Sequence, residues 1–208
     1  MKFLLSIALC LYSIVASSYP RCSSLAKDSL TKIKTGEIFS VEVEMDNEPW
    51  PQITLYALVK TSPQKAMTLF TDFNTHSEYF PNITESKILK GPIENIPLKT
   101  KKWEVAYTMK TPWPLMDEKY LLVDTLKEMM SQDKKTFYQL DWLSTQTTQV
   151  NKITGQVVFE QIDDWTCMSY TNLVSPAAIP GLSLLKSQAV ERAQDAVKAF
   201  QQRAQGKL

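Results

Sequence analysis

Glycine and histidine are scarce: the 208 residues include 5 glycines and one histidine, His76. Neither GxGxxG nor GxxxxGK[ST] occurs, so a phosphate-cradling loop has little material to form from, and no nucleotide cofactor is expected. A single histidine rules out HExxH and any two-histidine zinc site, and the 3 scattered cysteines cannot complete a zinc knuckle, so no metal is expected either. No serine sits in a GxSxG elbow. Asp72 and Glu78 near His76 therefore do not make a triad, and the corner around His76 reads as exposed. Charge of one sign is missing as well. Lys and Arg total 23 against 22 for Asp and Glu, and a net charge of +1 supplies no field for a phosphate backbone, which excludes nucleic acid as a partner. The carboxylate pairs Asp117-Glu118 and Asp163-Asp164 fall in predicted turns and read as solvated surface charge.

Long apolar runs are absent with one exception. Residues 1–18, MKFLLSIALCLYSIVASS, carry Lys2, an apolar stretch from Phe3 to Val15, and then Ala16, Ser17 and Ser18. This is the pattern of a signal peptide, and it falls short of the roughly 20 apolar residues that span a bilayer. The expectation is export, to a periplasm or outside the cell, with a polar leader over 19–36 and one domain over 37–205. Cys10 would leave with the signal. Cys22 lies in a leader that reads as flexible and Cys167 in a strand pattern; an oxidising compartment permits them to pair, and the sequence leaves that open.

What is abundant is alternation. Residues 37–45 place Phe39, Val41, Val43 and Met45 on one face, and after a turn at Asn47-Glu48-Pro49 the segment WPQITLYALVK does the same with Ile53, Leu55, Ala57 and Val59, which predicts a hairpin. Ser62 and Pro63 form an N-cap and first-turn pair before Ala66, Leu69, Phe70 and Phe73, the spacing of a helix. Strands are predicted over 83–90, 99–110, 119–130, 135–144, 150–162 and 165–174. In the second of these, Trp103, Val105, Tyr107 and Met109 share a face. From Leu182 through Leu185, Ala189, Ala193, Ala196 and Phe200 the period returns to three or four, a long amphipathic helix.

A hairpin, a helix, a run of antiparallel strands and a closing helix make an α+β chain. With the corner LFTDFNTHSEYFPNITESKIL, the turn TPWPLMDEKYLL and the segment IPGLSLLK, it resembles the START-like (SRPBCC) superfamily. That resemblance implies a helix-grip fold, in which a curved antiparallel sheet wraps a long C-terminal helix, and a cavity for a lipid, sterol, quinone, polyketide or other apolar molecule. Many START proteins leave the proline-rich turn through an Arg-Asp pair; Glu118 and Lys119 stand here in reversed charge order. Pro112 and Pro114 fix the direction of Trp113, either as a cap on the core or as part of a cavity mouth. The candidate ligand-binding residues are Phe73, Phe80, Trp103, Tyr107, Met109, Trp142 and Tyr170, with Leu182, Leu185 and Ala189 from the last helix. Tyr107, Tyr170 and Lys119 are the candidate polar groups. The expected partner is a hydrophobic small molecule, bound by a monomer that touches membranes transiently. Two other readings stay open: a metal-independent cyclase or aromatase using tyrosines or a carboxylate, and an envelope protein-interaction module.

Overall fold

The computed structural model describes residues 21–111, 116–131, 133–177 and 186–207. Eight strands form one antiparallel sheet: β1 (Phe39–Val43), β2 (Gln52–Val59), β3 (Ile83–Asn95), β4 (Thr100–Met109), β5 (Glu118–Met130), β6 (Thr136–Thr147), β7 (Val150–Ile162) and β8 (Trp165–Pro176). Their spatial order is β1-β2-β8-β7-β6-β5-β4-β3. From β3 to β8 each strand pairs with the next in sequence, the cheapest way to close antiparallel contacts. β8 then returns to β2, with Leu55 opposite Tyr170, so the first hairpin extends the far edge. At the β7–β8 turn Asp163 takes φ 50°, a left-handed conformation that aspartate tolerates better than most residues.

Between β2 and β3 the chain crosses the inner face. Helix α2 (Pro63–Phe70) starts as its sequence dictates, with Ser62 Oγ accepting from Lys65 N at 3.3 Å and proline in the first turn. A 3₁₀ turn (Phe73–Thr75) and the short α3 (His76–Tyr79) follow. The closing helix α4 (Lys186–Ala204) buries Ala193, Val197, Phe200 and Ala204 at helical spacing against the sheet. Phe200 meets Phe70 at 5.2 Å and Phe159 at 5.4 Å between ring centroids, which makes the C-terminal half of α4 the closed part of the core. The predicted start of this helix, including Leu182 and Leu185, lies outside the described residues, as does Trp113.

The outer face carries the main departure from expectation. The leader is not a free polar segment: Lys27–Lys34 form α1, and Ile33 packs in a second cluster with Cys22, Tyr56, Trp165 and Cys167. Cys22 and Cys167 are joined by a disulfide across 145 residues of chain. Closing so long a loop restricts the unfolded chain and adds about 3–5 kcal/mol in the loop-entropy picture. Arg21 adds an ion pair to the buried Glu160 at 2.6 Å, and Ser23 N donates to the other oxygen of the same carboxylate at 2.9 Å. No described helix is long and apolar enough to cross a membrane.

Candidate functional site

Over its N-terminal half α4 presents small residues. Ala189, Ala193 and Ala196 face the sheet there, and a cavity of about 260 Å³ opens between them and the inner face of β4–β8. Its rim lies where Pro81, Asn82, Thr111 and Gln149 reach solvent. The walls are largely aromatic. Trp142 leans on Tyr170 at 5.4 Å and donates its indole N–H to Asn172 Oδ1 at 3.4 Å. Gly155, opposite Trp142 in the ladder, leaves the space this ring needs: a Cβ there would lie 2.6 Å from the indole and would clash with the Thr171 carbonyl oxygen.

Two sets of polar groups enter the cavity from the corner and from β5, beside Asn172 and Tyr170 of β8 and Arg192 of α4. From the corner, His76 is buried with its Nε2 2.8 Å from the Phe70 carbonyl and its Nδ1 3.0 Å from the Tyr107 hydroxyl. A carbonyl only accepts, so Nε2 carries the hydrogen and Nδ1 accepts the phenol proton of Tyr107. Burial agrees with this neutral tautomer, since it pulls the imidazole pKa down to about 4, against a smaller opposing effect of the Phe70 carbonyl. From β5, alternation turns Glu118, Tyr120, Leu122 and Asp124 inward as one row.

Each member of that row is held differently. Glu118 accepts from the backbone amides of Thr148 at 2.8 Å and Gln149 at 2.7 Å, tying the start of β5 to the β6–β7 turn. Tyr120 stacks on Tyr107 at 5.2 Å. Asp124 is 2% exposed, its Oδ2 has no hydrogen-bond partner among the described residues, and burial pushes its carboxyl pKa up to about 8. The phenols of Tyr107, Tyr120 and Tyr170 are raised by the same loss of solvation and stay protonated at neutral pH. Among the described residues no group of three His, Cys, Asp or Glu side chains is placed to hold a metal ion.

No protein-family model and no curated protein sequence matches the chain. Solved structures do. The STAR-related lipid transfer protein of Xanthomonas axonopodis superposes with a TM-score of 0.66 at 14% identity, over 81% of this chain and 93% of that one. A START superfamily protein of Mycobacterium smegmatis gives 0.55 at 14% identity over 76% and 99%. The Zhui aromatase/cyclase from Streptomyces gives 0.50 at 12% identity over 74% and 93%. The fold is the START-like helix grip. Within this fold the alanine face of α4 and the inner rows of β4–β8 enclose the cavity.

Against this cavity the candidate residues sort cleanly. Phe73, Phe80, Tyr107 and Met109 border it from the corner and β4, and Trp142, Tyr170 and Ala189 from β6, β8 and α4. Trp103 does not. It shares a face with Tyr107 but sits deeper along the strand, edge-on to Phe73 at 5.4 Å, and borders a separate surface hollow with Met67, Leu126 and Tyr138. Lys119 is exposed on the opposite face of β5 from Glu118 and supplies nothing to the cavity. Glu118 itself is not a solvated turn charge but a buried one, 1% exposed, because two unpaired amides of the next turn need an acceptor. His76 is likewise buried. The three-residue rhythm Phe70, Phe73, His76, Tyr79 continues through it, which is the signal that would have placed it inside. Asp124 was readable from the alternation of β5, once Leu122 is known to pair with Val105.

Proposed function

We propose that this START-like protein is exported and binds or carries one hydrophobic small molecule in the cavity under α4, without covalent chemistry. The supporting observation is the cavity itself: a space of about 260 Å³ with aromatic and aliphatic walls and few polar groups. An apolar void of about 150 Å³ already holds benzene, and ligand sites run from about 300 to 1,000 Å³, so this space suits one ring-sized or short-chain hydrophobe better than an enclosed two-chain lipid. Export is supported by the apolar first residues and by the Cys22–Cys167 disulfide, a bond that persists in oxidising compartments. We expect a monomer that meets membranes only while loading or releasing its cargo.

Organic extraction of the natively purified protein followed by mass spectrometry tests the reading. One hydrophobic compound at near-stoichiometric yield is expected; an empty protein that also ignores hydrophobic dyes would overturn it. Intact mass of protein from the cell envelope tests export, and a chain that still carries residues 1–15 in a membrane fraction would contradict it. One observation favours a second reading. The His76–Tyr107 pair and the buried Asp124 could act as acid and base on a bound ketide, as in a metal-independent cyclase. Recovery of a cyclised product from a linear poly-β-ketone substrate would select that reading.

A further inference from the structure

The apolar reading of the cavity leaves one group unexplained. A carboxyl on the inward row of β5, flanked in the ladder by Trp103 on one side and Trp142 on the other, has an oxygen with no partner among the described residues. A buried polar group without a partner is costly, and an apolar residue of Asp124's size would fill the place without that cost. No cation among the described residues is at hand to balance it. Among the described residues lining the cavity the one cation is Arg192, whose guanidinium donates to the Lys110 carbonyl at 3.5 Å. Lys110 follows Met109, the ladder partner of Glu118, and Glu118 lies six residues or about 20 Å along β5 from Asp124.

At the inner end the Asn172 Oδ1 acceptor is taken by the Trp142 indole N–H, and the acid and the phenols are donors. An uncharged carboxylic acid in an apolar site offers its O–H, and a phenol beside it does the same. Tyr120 and Tyr170 border the space with protonated phenols, while the proton of Tyr107 is already given to His76 Nδ1. What the described residues of the site lack is a free acceptor that brings no hydrogen of its own. We propose that the inner end of the cavity is a seat for a carbonyl oxygen, so that the ligand is a ring-sized apolar molecule whose buried end carries a ketone-type C=O hydrogen-bonded to Asp124. This deepens the reading of the cavity as a hydrophobic-ligand site and rests on it.

The test uses a matched set of probes on the whole protein: 2-acetylnaphthalene, the hydrocarbon 2-ethylnaphthalene of the same shape, and the ammonium ion of 2-(aminomethyl)naphthalene, each titrated by calorimetry. The ketone should bind about tenfold tighter than the hydrocarbon, the worth of one good buried hydrogen bond. Its carbonyl stretch should move to lower frequency on binding. Asp124→Leu should erase both the preference and the frequency shift while the hydrocarbon binds at least as well as before. Asp124→Asn, which still offers an N–H donor, should keep most of the preference and covers the case in which the leucine variant does not fold. Equal affinity for ketone and hydrocarbon, or a preference that survives Asp124→Leu, overturns the proposal and leaves the apolar site standing. Tightest binding of the ammonium probe also overturns it, because the carboxylate would then be reading a cation. If not even the hydrocarbon binds, the hydrophobic-ligand reading fails and this inference falls with it.

Discussion

The two halves of α4 face the same sheet and do opposite things. Toward the C-terminus Val197 and Phe200 are 1% and 0% exposed, and Phe200 closes against Phe70 and Phe159 at ring distances of 5.2 and 5.4 Å. Toward the N-terminus the short side chains of Ala189, Ala193 and Ala196 border the cavity, and Trp142, Tyr170 and Tyr120 line its other side. One helix thus supplies both the clamp that makes the sheet stable and the roof of the hollow. Stability and binding should separate along its length, and substitutions in each half can show whether they do.

The sharpest break is in the closed half. Phe200→Ala removes a fully buried ring from a three-ring contact and should cost about 3–5 kcal/mol, read as a large fall in the urea midpoint with the slope unchanged. A loss under about 1 kcal/mol would mean that this half is as loosely filled as the other. At the rim the expected effect is intermediate. Glu118→Ala would strand the amides of Thr148 and Gln149 and should cost about 2–3 kcal/mol, whereas Lys119→Ala, exposed one residue on, should stay within about 0.5 kcal/mol. Equal effects at the two positions would put Glu118 back among solvated charges.

In the hollow half the expected signature is a pH dependence. Burial raises the Asp124 carboxyl from 3.8 to about 8 and lowers the His76 imidazole from 6.5 to about 4. Between pH 4 and 6.5 the native state keeps a proton on Asp124 that the unfolded chain has released, and the unfolded chain keeps one on its histidine that native His76 lacks, so the two slopes oppose each other. Above pH 6.5 the histidine contribution is complete and Asp124 acts alone: stability should fall with rising pH by up to about 1.4 kcal/mol per unit until about pH 8. Thermal melts of Asp124→Asn should be flat over pH 6.5 to 8. A wild-type curve equally flat there would show that Asp124 is solvated.

Much of the fold and of the cavity's apolar lining was legible in the sequence, and less of its depth and its buried polar groups, for physical reasons. Alternation in β4, β6 and β8 put Tyr107, Trp142 and Tyr170 on the inner face, and the three-to-four spacing of Ala193 and Phe200 oriented α4. A face is not a depth. Trp103 and Tyr107 share a face of β4, yet only one of them reaches the cavity, because its position along the sheet is set by pairing and by where α2 and α4 cross. Helix α1 was missed since KDSLTKIK offers only Leu30 and Ile33 as apolar residues, and its place follows from the Cys22–Cys167 bond and the Arg21–Glu160 pair, both formed with residues more than a hundred positions away. His76 and Asp124 escaped because polar residues are read as solvent-facing until the partner strand or corner is known, and burial of such groups is a property of the assembled cavity.

The smallest stability effect carries the central claim that the space under α4 is a real, fillable ligand site. Ala189→Trp places an indole into it, and the account expects the melting temperature to stay within a few degrees while uptake of a fluorescent hydrophobe by the natively purified, delipidated protein is lost. A destabilisation of about 1–3 kcal/mol or more would show a core already full at Ala189, and unchanged uptake with unchanged stability would show that the ligand space lies elsewhere; either result contradicts the account.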